Sequence, residues 1–171
     1  NGYSGLEMVA GQTADGLAKK GHDVTLVAPE GSKLDNGTVI PTGPEGQWNE
    51  RMSFPVYVNE LPKFDVVIDE SWSKFSYLTK INGQLKAPVL GVLHAPVNGM
   101  YQTLPPVDKP CFVCISQDQA NHFEALFSRQ AKVCMNGIDL DFYKPMSVPR
   151  TDRFLFLARF SSIKGPDIAI D

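Results

Sequence analysis

The stretch NGYSGLEMVAGQTADGLAKKGHDVTLVAP, residues 1–29, decides the fold. Its first five residues form a loop. Ser4 with Glu7 three places on has the spacing of a capping box, in which a hydroxyl and a carboxylate satisfy the first free amides of a helix. Leu6, Val9, Ala10 and Leu17 then recur at helical intervals, and Lys19, Lys20 and Gly21 supply a stop, so a helix is predicted over residues 5–20. Asp23 to Ala28 is a short strand-like run closed by Pro29. Loop, helix, turn and strand in this order are a βαβ crossover without its opening strand, which is expected to precede Asn1. In a doubly wound sheet that strand lies centrally, and its loss leaves two neighbours unpaired.

Outward from there, residues 31–51 are rich in Gly, Pro and Asn, with one strand candidate at Thr38 to Ile40. Phe64 to Asp69, Val89 to Leu93 and Cys111 to Ile115 are nearly continuous apolar runs, the pattern of parallel strands covered on both faces. A helix over residues 71–80 is predicted between the first two, burying Trp72, Phe75 and Leu78. Ser116 and Gln119 make a second capping box before a helix carrying Phe123, Leu126 and Phe127. Lys132 to Met135 is a further short strand. Beyond Asn136-Gly-Ile-Asp139 the chain passes Pro145 and Pro149, and a strand at Phe154 to Ala158 and a helix opening at Pro166 are predicted. The expected architecture is α/β, a Rossmann-like doubly wound parallel sheet truncated at both ends. Residues 1–146 form the first domain without its opening strand; residues 147–171 are a linker and the start of a second.

Composition narrows the function. The 171 residues are 43% hydrophobic, enough for a buried core, and the formal charge of −3 offers no basic footprint for nucleic acid. No apolar run reaches the roughly 18 residues that span a bilayer, and none follows a charged leader. A cytoplasmic location is the default, with room for contact at the membrane surface. The odd cysteine count, Cys111, Cys114 and Cys134, argues for reduced thiols. Cys111 and Cys114 have metal-like spacing, but they fall in an apolar run with no second pair, so buried strand cysteines are expected and no metal.

Four segments together carry a family resemblance: Gly2-Tyr-Ser-Gly-Leu-Glu7 with Lys20 to Pro29; Phe64 to Ile68 with His94-Ala-Pro96; Met135-Asn-Gly-Ile-Asp139 with Phe142 and Pro145; and Ala158-Arg-Phe-Ser-Ser-Ile-Lys-Gly165. In this order they resemble family-4-type retaining glycosyltransferases of GT-B architecture, whose two Rossmann-like domains face each other across a cleft. Ser4 stands where that family usually has Gly, and Ala158 and Ile163 replace its usual Gly and Glu.

The resemblance implies transfer of a sugar from a UDP- or GDP-type nucleotide sugar to the hydroxyl of a carbohydrate, lipid or small-molecule acceptor, without metal or other cofactor. Negative charge grows on the leaving diphosphate, so cations and helix amides aimed at it are the main catalytic resource. Arg159 and Lys164 are the expected clamp; as an isolated pair they would be surface cations. His94 closes an apolar strand, so it belongs at the carboxyl edge of the sheet, where ligands bind in open α/β folds. The resemblance makes it a cleft residue near sugar or acceptor; a strand-end histidine satisfied by backbone is the plain alternative. Gly2, Ser4 and Gly5 could line the acceptor loop, and Asn136 with Gly137 a tight turn at the cleft floor, although capping and an ordinary turn also explain them.

Glu7 is accounted for by capping, and His22 and His122 read as structural or surface. Asp69 and Glu70 close a strand, yet consecutive strand side chains point to opposite faces and do not make an acid/base couple. Another GT-B activity such as nucleotide-sugar epimerisation, and a noncatalytic Rossmann-like module, stay open. A dehydrogenase lacks support because no G-x-G-x-x-G follows a strand. Residues 1–171 alone are expected to be inactive, to bind nucleotide weakly, and to be prone to self-association through unpaired strands.

Overall fold

The computed structural model describes residues 5–44, 46, 49–95, 97 and 111–170. The chain divides into two compact units, Asn1–Ile138 and Asp139–Asp171. In the first, α1 (Gly5–Lys19) ends at Gly21, whose φ of 90° needs a residue without Cβ, and β1 (Thr25–Ala28) follows. β1 pairs in parallel with β2 (Thr38–Pro41), Thr25 opposite Thr38 and Ala28 opposite Pro41. A second sheet runs β3 (Val67–Asp69), β4 (Val89–Leu93), β5 (Cys111–Cys114) and β6 (Lys132–Val133), all parallel. The fold is therefore α/β with parallel sheets, as the sequence predicts. β1 and β3 each have one strand neighbour among the described residues, and Val66 and Ile68 at β3 are 48% and 37% exposed.

Helices link these strands: α2 (Glu50–Tyr57), α3 (Phe75–Ile81) and α4 (Gln117–Phe127), with a 3-10 turn at Leu61–Lys63. The core lies between β4, β5 and these helices, where Leu61, Tyr77, Leu85, Val89, Leu93, Phe112, Cys114, Ala120 and Phe123 are buried. Tyr77, Phe112, Phe123 and Phe127 form a chain of rings with centroids 4.8, 5.1 and 4.7 Å apart. Gly91 admits Phe112, since a Cβ there would lie 2.8 Å from the ring.

Several expectations are corrected. The helix predicted from Ser71 begins only at Phe75, because residues 71–74 are engaged in hydrogen bonds at the end of β3. Its buried face is Ser76, Tyr77 and Thr79, while Trp72 is 38% exposed. Cys111 is exposed; Cys114 alone of the pair is buried, and burial pushes its thiol pKa up. β6 stops at Val133, and no turn forms at Asn136-Gly137; the chain bends at Asp139, whose carboxylate accepts from the amides of Asp141 and Phe142. Phe154 to Ala158 is not a strand. Strands are held by pairing, and Phe154, Leu155 and Leu157 lie exposed with no strand neighbour among the described residues of the second unit. The hydrogen bonds of that unit are local, with a 3-10 turn at Ser162–Lys164 and turns rather than a helix after Pro166.

Candidate active site

β3 delivers the chain to a crowded sheet edge. Asp69, its last residue, is buried; its carboxylate accepts from the amide and hydroxyl of Ser71 at 3.0 and 2.5 Å and from the amide of Ser76 at 3.2 Å. Lys74 stands at φ 52°, a left-handed conformation strained for a residue with a Cβ, yet it is only 2% exposed. Its Nζ donates to the carbonyls of Asp69 and Ser71. Burial pushes the lysine pKa down, opposed by the carboxylates of Asp69, Glu70 and Glu50.

α2 secures the same loop from outside. Asn49 caps it by accepting from the amides of Arg51 and Met52, and Glu50 in its first turn accepts from the amides of Trp72 and Ser73. The Tyr57 phenol, near the end of α2, is pushed up to about 12, first by burial and then by the Asp69 carboxylate, with a Ser76 hydrogen bond opposing. Residues 69–74 are thus pinned by a strand, a helix and an internal lysine.

From this platform Glu70 reaches His94. The register of β3 on β4, Asp69 opposite Gly91, brings both chains out at the same carboxyl edge, and His94 follows β4 directly. The Glu70 carboxylate pairs with His94 Nε2, their side chains 17% and 9% exposed. Gln119 anchors the next residue: its Nε2 donates to the Ala95 carbonyl at 2.6 Å, and its Oε1 accepts from the Ile115 amide at 2.8 Å. A carboxylate beside an imidazole at low exposure orients the ring, an arrangement suited to hydroxyl recognition or proton transfer.

His94 thus has a side-chain partner, the Glu70 carboxylate. Asp69 and Glu70 do diverge as adjacent strand-end residues, one toward the α3 turn and one toward His94. Gly5 opens α1, and Gly2 and Ser4 lie outside the described residues, as does the capping box built on Ser4. Asn136 and Gly137 are exposed beyond β6. Arg159 and Lys164 are exposed in the second unit, Lys164 closing its 3-10 turn. Sequence reasoning placed Glu70 at a strand end without its partner, read Gln119 only as part of a cap, and did not single out Lys74 or Glu50; an acid and a histidine closing successive apolar strands were the available signal for the pair.

The sequence profile of Glycosyltransferase Family 4 matches residues 3–142. The chain belongs to glycosyltransferase family 4. No curated protein matches it significantly. The family 4 match takes in Gly5, Glu70, His94, Asn136 and Gly137 and ends before Arg159 and Lys164. Membership makes glycosyl transfer between a sugar donor and an acceptor the chemistry of this domain. Among the described residues, no helix is long and apolar enough to cross a membrane.

Proposed function

We propose that this family 4 domain serves a retaining glycosyltransferase that moves a sugar from a UDP- or GDP-type nucleotide sugar to an acceptor hydroxyl, with no metal. The observation that carries the reading is the Glu70–His94 pair at the carboxyl edge of a parallel sheet, inside the family match. His94 meets a hydroxyl of the sugar or acceptor. Arg159 and Lys164 supply charge to the leaving diphosphate, Arg159 through its planar fork and Lys164 as a point charge. Carbohydrate, lipid and small-molecule acceptors all fit this chemistry, as does an enzyme working at a membrane surface.

The test is release of UDP or GDP from a panel of nucleotide sugars by the transferase, with product anomers read by NMR. Lys164→Ala is expected to lower kcat by on the order of 100-fold, because a preorganised charge opposite the leaving group is lost. An unchanged rate removes Lys164 from the clamp. Inverted anomers overturn retention, and interconversion of the nucleotide sugar without acceptor would favour an epimerase. Calorimetry that finds NAD bound in preference to UDP or GDP would overturn the reading as a whole.

A further inference from the structure

We propose that Glu70 is a positioning residue for His94: its carboxylate accepts the Nε2 proton, so that the neutral ring keeps its lone pair on Nδ1, the nitrogen that meets a sugar hydroxyl. The identity of that hydroxyl rests on the transferase reading above; the tautomer does not.

The chemistry of the partners sets the tautomer. An ionised carboxylate only accepts, and a neutral imidazole carries one N–H, so the nitrogen facing Glu70 must hold the proton. Glu70 is available for this because the other local charges are engaged. Lys74, whose field reaches Glu70, spends its Nζ on the Asp69 and Ser71 carbonyls, and Asp69 is bonded to Ser71 and Ser76. Both backbones are held, that of Glu70 by the bonds around residues 69–74 and that of His94 through Gln119 on the Ala95 carbonyl. Side-chain exposures of 17% and 9% leave little water to compete.

The direct test is a long-range 1H–15N correlation of the imidazoles, at a pH high enough to neutralise them. The chain has three histidines, and His22 and His122 are exposed. Wild-type His94 is expected as the Nε2–H tautomer, and Glu70→Ala is expected to give a mixture or the Nδ1–H form. An Nδ1–H tautomer in the wild type, or an unchanged spectrum in Glu70→Ala with native circular dichroism, overturns the proposal. If Glu70→Ala unfolds, Glu70→Leu is read in the same way, and an Nδ1–H wild type overturns the proposal whatever the variants do. In the transferase, Glu70→Ala should lower kcat by about tenfold or more. Combined with His94→Ala it should add nothing, whereas additive losses would show that Glu70 acts independently of the ring. A wild type that transfers no sugar would sink the functional reading and leave the tautomer result standing.

Discussion

Tyr77 is 2% exposed, and its hydroxyl has no hydrogen-bond partner among the described residues, although its ring packs on Phe112. A buried hydroxyl without a partner gives up its hydration and recovers nothing. Tyr77→Phe is therefore expected to raise stability by about 1 kcal/mol, read as a higher urea midpoint at unchanged slope. A loss of stability would mean that the hydroxyl is bonded in solution. At the same scale, Asp69 and Glu70 show how far residue-level reading extends. The period-two rule sends the two carboxylates apart, but it does not say what either one meets. Those partners, Ser71 and Ser76 for one and His94 for the other, come from a different turn and a different strand.

At the scale of the element, the start of α4 is built from both sequence and neighbours. Ser116 accepts from the Gln119 amide as the capping spacing predicts, but the Gln119 side chain does not fold back on the cap. It bridges Ile115 and Ala95 instead, joining the exits of β5 and β4. Gln119→Ala should thus cost about 1 kcal/mol, leaving a part-buried amide and carbonyl without their partner, and should speed hydrogen exchange at Ile115. Ser116→Ala should cost about 1 kcal/mol without that local loosening. Equal exchange in the two variants would sink the bridge. α2 was not legible because it is short, follows a Gly- and Pro-rich stretch and contains Pro55, which a helix interior disfavours. Asn49, which caps it, was the signal available. The start of α3 was misread for a different reason: Lys74 spends its conformation on the site.

At the scale of the molecule, the groups around Asp69 tie stability to alkaline pH. The Lys74 amine is held below its usual 10.5 by burial, so below its folded pKa the fold carries a buried charge. Stability rises as pH climbs from there toward 10.5, where the unfolded chain binds the extra proton. Tyr57 acts in the opposite sense. Its folded phenol keeps its proton up to about 12 while the unfolded one ionises from 10, so stability falls across that window. Tyr57→Phe should flatten the falling limb and Lys74→Met the rising one, in urea melts at a series of alkaline pH values. A Tyr57→Phe profile parallel to the wild type above pH 10 would contradict the burial of that phenol.

The amino-acid sequence by itself determined the parallel α/β fold, because apolar runs and helix stops are local signals and Val89 to Leu93 matches β4 residue for residue. It also located His94 at a strand end. Only tertiary structure decided that Glu70 meets His94, that Lys74 is buried beneath the loop, and that Gln119 holds the next strand exit. Each of these joins residues far apart in the chain or depends on what surrounds them, and such contacts leave no periodicity. Pairing settled the rest: Phe154 to Ala158 has the composition of a strand, but with no strand beside it among the described residues its N–H and C=O groups have no ladder to join.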